Sequence, residues 1–78
     1  MPRVPLHSSL LQAATYRDQQ ARLELEFHGG AVYHYFAVPQ PIYRDLLRAE
    51  SKGRYFNSHI RNRFAYASIH SAVSTPTP

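Results

Sequence analysis

The chain predicts an α+β domain, a three-stranded antiparallel β-meander followed by two short helices packed on one face of the sheet. Three observations lead there. From Arg22 to Phe27 charged and apolar residues alternate strictly, the mark of a strand with one buried face. Gly29-Gly30 then supplies the positive φ values of a tight hairpin turn. Beyond Val38-Pro39-Gln40-Pro41 the apolar spacing lengthens to that of a helix lying on a core.

The first strand is expected over Leu10–Tyr16, with Leu11, Ala13 and Thr15 on one face and Leu10, Ala14 and Tyr16 on the other. Arg17-Asp18-Gln19-Gln20 is short and polar enough to connect it to the second strand, in which Leu23, Leu25 and Phe27 oppose Arg22, Glu24 and Glu26. Ala31–Ala37 returns as the third strand, its faces being Tyr33, Tyr35 and Ala37 against Val32, His34 and Phe36. Proline cannot donate to a ladder, so the sheet stops near Pro39, while Pro41 suits the first turn of a helix. In that helix Ile42, Leu46, Leu47 and Ala49 share a face, leaving Arg44, Asp45 and Arg48 toward water. Ser51 is placed to cap a second helix whose Phe56 and Ile60, four apart, enter the same core and whose outer side carries Arg54, Asn57, Ser58 and Arg61.

At 78 residues the chain makes one domain with a small core; a chain of this size buries about 60% of its unfolded surface. Residues 1–8 read as an N-terminal extension, 9–66 as the domain, and 67–78, ending in Ser-Thr-Pro-Thr-Pro, as a disordered Ser/Thr/Pro tail. Met1-Pro2-Arg3-Val4-Pro5 lacks the pattern of a signal peptide, and no apolar run reaches the length of a membrane span, so a cytoplasmic protein with no membrane association is expected. Cysteine is absent, which excludes disulfides and thiolate metal sites. His7, His28, His34, His59 and His70 lack the i, i+4 spacing of a helical zinc site, and no metal or cofactor is expected.

The segment Ser51-Lys52-Gly53-Arg54-Tyr55-Phe56-Asn57 joins a helix start to cationic residues, a combination suited to holding an anion. Together with Ser8-Ser9, Tyr16, Asp18, Leu23, Leu25, Phe27, Gly30, the Tyr-x-Tyr of Tyr33-His34-Tyr35, Val38-Pro39, Tyr43, Leu46-Leu47, Ala49 and Ile60-Arg61, it resembles the KTSC domain. That module is named for its place at the C-terminus of some lysyl-tRNA synthetases and also occurs alone in small bacterial proteins. The resemblance runs over roughly residues 6–64; Thr15 departs from it, where the family often has Gly. It implies the fold more than the function, since for the family a role in RNA binding is only suggested.

Nine Lys and Arg against five Asp and Glu leave a net charge of +4, and only one of the cations is Lys. Arginine favours planar partners such as phosphate or carboxylate. Arg44, Arg48, Lys52, Arg54, Arg61 and Arg63 can form one positive stripe, or an ordinary charged surface partly paired with Asp45 and Glu50. Tyr33 and Tyr35 share a sheet face, where they either stack unpaired bases or pack in the core; alternation alone does not say which. Gly53 serves close packing or close approach to a ligand, and Asn57 serves ligand contact or a structural bond. The expected function is a small non-enzymatic binding module for RNA or another nucleic acid, in which the stripe meets phosphates and the tyrosines meet bases. The alternatives are a module for an acidic protein partner and, more weakly, a small ribonuclease using His59, Tyr55 and Arg61. A monomer or weak dimer is expected, an open sheet edge being the route to pairing.

Overall fold

In the computed structural model, which describes residues 1–69, the alternating segment Arg22–Phe27 is the central strand of a five-stranded antiparallel sheet. The strands β1 (Val4–Pro5), β2 (Leu11–Arg17), β3 (Arg22–Phe27), β4 (Val32–Tyr35) and β5 (Tyr66–Ile69) are neighbours in chain order. Helices α1 (Gln40–Arg48) and α2 (Lys52–His59) lie between β4 and β5 in sequence. The α+β class and the two helices therefore stand, and the strand count is corrected from three to five.

Both added strands come from segments read as flanks. Residues 1–8 are part of the sheet: Val4 and Pro5 pair with Ala14 and Ala13, Leu6 is buried, and Arg3 grips Glu26 through Nε at 2.9 Å and Nη2 at 3.0 Å. The Ser8 hydroxyl then accepts from the backbone N–H groups of Leu10 and Leu11, both at 3.1 Å, which fixes the entry to β2. At the other end Ala67–Ile69, assigned to the tail, belong to β5 and pair with β4. The rest of the expected tail, residues 70–78, lies outside the described residues.

The turns follow their chemistry. Gly29 and Gly30 take φ values of 100° and 102°, and Phe27 N–H donates to Ala31 C=O at 2.8 Å across them. Asp18–Gln20 forms a single 3-10 turn closed by Ala21 in the left-handed region. In β2 the expected simple alternation fails, because a bulge between Leu11 and Ala13 shifts the register. Leu11, Ala14 and Tyr16 consequently stand opposite Phe27, Leu25 and Leu23, and all six share a face. The third strand ends at Tyr35 rather than Ala37, since Ala37 adopts a φ of 57° and turns Val38 into the core.

The helices cover that same face. Phe56 of α2 packs edge-on against Phe27 and Tyr35, and Tyr43 of α1 stacks on Tyr16 with ring centroids 5.1 Å apart. Tyr43 thus replaces Ile42 and Leu47, both only half-buried, as the companion of Leu46 on the buried side of α1. The Ser51 hydroxyl caps α2 as expected, accepting from Arg54 N–H at 3.3 Å. Leu11, Leu23, Leu25, Val38, Leu46 and Ile60 are wholly buried, each side chain contributing about 1.5–3 kcal/mol before ordering entropy is subtracted.

Candidate nucleic-acid interface

Antiparallel register decides which way the tyrosines point. Leu23 pairs with Tyr35 and Leu25 with Tyr33, so both rings lie on the helix-covered face with the core leucines. The helices end before they cover it completely. Where α2 stops and the chain turns through Asn62, whose φ is 63°, a concavity of about 490 Å³ opens between the sheet and the end of the helix.

Its aromatic lining is Phe27, Tyr33, Tyr35, Phe56 and Tyr66, and its polar lining is His28, Asn57, Arg61 and Asn62. Tyr33, Tyr35 and Tyr66 form a cluster, with Tyr66 5.6 Å from each of the other two centroids and Tyr33 to Tyr35 at 6.3 Å. Exposure separates their roles: Tyr35 is 4% exposed and Tyr66 is 55% exposed, while Tyr33 is intermediate. Burial pushes the Tyr35 phenol up to about 12, the neighbouring Tyr33 and Tyr66 hydroxyls adding to the rise and the Arg61 charge opposing it. Arg61 Nη1 makes a long 3.5 Å contact with Asn57 Oδ1, which links the two polar groups. Asn62 tolerates the left-handed conformation that ends the helix, and that turn carries Arg61 and Asn62 past the rim.

Four of the expected site residues, Tyr33, Tyr35, Asn57 and Arg61, meet here. Tyr35 is corrected from an exposed stacking surface to the floor, because Phe56, Tyr33 and Tyr66 occupy its surroundings. Arg54 is exposed one turn before Asn57 on α2 and does not line the concavity. Gly53 packs α2 on the entry to β2, where an added Cβ would sit 3.4 Å from Leu10 Cβ. Lys52 Nζ donates to Ala49 C=O at 2.9 Å and closes the end of α1, and Arg48 pairs with Asp45 at 2.8 Å. Arg44 is exposed. Arg44, Arg54, Arg61 and Arg63 form no salt bridge among the described residues.

Tyr66 and Asn62 are site residues that the sequence reading omits. The signal for Tyr66 was a short run of strand-forming residues behind two helices, and for Asn62 the preference of Asn for helix ends. The proposed ribonuclease set does not assemble around the concavity. Tyr55 and His59 stack on each other with centroids 4.3 Å apart and are absent from the lining that includes Arg61. Among the described residues no three His, Cys, Asp or Glu come together as metal ligands, and no helix is long and apolar enough to cross a membrane.

The family model described as the KTSC domain matches residues 7–64, which hold both helices and the three central strands. The chain belongs to the KTSC family. A solved KTSC domain protein from Yersinia pestis superposes on this KTSC domain with a TM-score of 0.82 at 32% identity, covering 87% of this chain and 96% of that one. A protein of Tsukamurella paurometabola is 45% identical over 60 residues, 77% of this chain and 90% of its own length. One of Stutzerimonas stutzeri is 49% identical over 57 residues, 73% and 80% of the two chains. A lysine–tRNA ligase of Nostoc punctiforme is 34% identical over 68 residues, 87% of this chain but 12% of the ligase.

Proposed function

We propose that this chain is a small non-enzymatic module that binds RNA. An unstacked base enters the aromatic concavity while nearby arginines meet the backbone phosphates. The observation that carries the reading is the meeting of Tyr33 and Tyr66 with Asn57, Arg61 and Asn62 in one concavity. Rings offer a face to any base, amides and guanidinium offer edges to read, and such combinations are how single strands are held. Similarity to part of a lysine–tRNA ligase agrees with an RNA ligand.

The test is an amide chemical-shift titration with short single-stranded RNA at about 50 mM and about 200 mM salt, between which phosphate-driven binding weakens strongly. Shifts at Asn57, Arg61, Asn62 and Tyr66 that fade at the higher salt are expected, and Arg61→Glu should abolish them. A spectrum unmoved by RNA at the lower salt would refute the reading. The second reading, an acidic protein partner, rests on the exposure of Tyr66 and Ile69 along the edge strand β5, with Arg61 lining the same concavity as Tyr66, and a pull-down would then pursue it.

A further inference from the structure

Tyr35 has a buried ring and an unused hydroxyl. Tyr16, equally buried, donates its hydroxyl to Val38 C=O at 2.6 Å, whereas Tyr35 has no hydrogen-bond partner among the described residues. Buried polar groups are nearly always paired, with protein or with ordered water, so one that faces a concavity is placed to pair with whatever occupies it. Tyr43 is also buried without a partner, but it does not line the concavity. Beside the rings of Tyr33, Tyr66 and Phe56, the charged group that acts on Tyr35 is Arg61, which only donates. Its long contact to Asn57 Oδ1 involves Nη1 alone and leaves Nε and Nη2 for a ligand.

We propose that this floor selects a carbonyl-bearing base, guanine above all, by donating to its O6 and N7 from Tyr35 and Arg61 while Tyr33 and Tyr66 pack against the ring. The inference rests on the RNA reading and narrows it. Guanine presents two adjacent acceptors on this edge, which Arg engages in bidentate fashion, and uracil presents one carbonyl oxygen. Adenine and cytosine place an amino group there, setting a donor against the guanidinium and leaving it unpaired. The high phenol pKa keeps Tyr35 a donor throughout the neutral range.

Four RNA pentamers with one central G, U, A or C between abasic riboses equalise the phosphate charge and isolate the base. Titrations at about 50 mM salt should rank G first and U second, with A and C weaker than G by about tenfold or more, the discrimination usual for a bidentate contact. Tyr35→Phe keeps the ring and Arg61→Gln removes the guanidinium fork, and each should narrow the gap between G and A, Arg61→Gln also lowering the affinity for all four pentamers. Equal binding of the four pentamers, or a preference for A, overturns the base assignment and leaves RNA binding standing. No binding by any pentamer or by longer single strands overturns both. If Tyr35→Phe perturbs the fold, Arg61→Gln decides the matter alone.

Discussion

Tyr16 and Tyr35 differ by what surrounds two oxygen atoms. Removing the Tyr16 hydroxyl leaves the Val38 carbonyl buried and unpaired, whereas the Tyr35 hydroxyl has no hydrogen-bond partner among the described residues to lose. Tyr16→Phe is therefore expected to lower stability by about 1–2 kcal/mol, and Tyr35→Phe to leave it unchanged or raise it. Urea denaturation of the two variants checks this. A loss on Tyr35→Phe as large as on Tyr16→Phe would mean that the hydroxyl has a structural bond and that its place at the floor is incidental. A group kept against stability is one that function explains better than packing.

At the scale of elements, the uncovered face of the sheet is held by charge rather than by a second layer. Glu24 on β3 receives Arg17 at 2.8 Å and Arg22 at 3.0 Å, with His34 of β4 at 3.8 Å. Burial pushes the Glu24 carboxyl up, but the Arg17 hydrogen bond and the charges of His34, Arg17 and Arg22 outweigh it and hold the group below its ordinary 4.5. Folding thus favours the ionised form. The stabilisation is fully present above about pH 5 and is lost as pH falls through the lowered value, because the unfolded chain takes up the proton first. Glu24→Gln should remove this acid-side dependence and cost about 1 kcal/mol at pH 7; melting curves from pH 3 to 7 would show it, and a variant with the parent's slope would contradict it. The alternation that made β3 legible also put Glu24 on this face, and Pro41, Ser51 and the paired glycines were legible for the same reason, since each acts through its own backbone. What the sequence concealed depends on partners far along the chain. The β2 bulge needs the register of β3, the pairing of Val4-Pro5 needs Ala13-Ala14, and the fate of Tyr35 needs Phe56.

Over the whole molecule the charge is segregated. Three cations and three acids precede Gln40, while six cations and two acids follow it, so the net charge of +4 resides in the helical half and its continuation. The early arginines, Arg3, Arg17 and Arg22, are all engaged by Glu24 or Glu26 of β3. Arg44, Arg54, Arg61 and Arg63 are not so engaged among the described residues, and of these Arg61 lines the concavity. Of the cations expected to form a stripe, Arg48 and Lys52 are occupied with the helices, and Arg61 alone borders the aromatic lining. Tyr33 and Asn57 were legible as candidates because each sits in a regular element, and Arg61 because it continues the basic run beyond α2; Tyr66 was hidden because its strand exists only once the helices have brought it back to β4.

That return has a kinetic consequence. β2, β3 and β4 are joined by tight turns, so their ladders can zip as local hairpins in about 1–10 microseconds, whereas pairing β5 with β4 closes a longer loop that holds both helices and costs more entropy. The last strand to arrive, lying at an edge with one ladder to hold it, should be the first to leave by sub-global opening. Hydrogen exchange should find the β5 amides that bond to β4 less protected than those shared by β2 and β3, and equal protection would show that the sheet opens only as a unit. If β5 opens alone, Tyr66 swings out with it, and the wall of the concavity is a door that the native protein opens without unfolding.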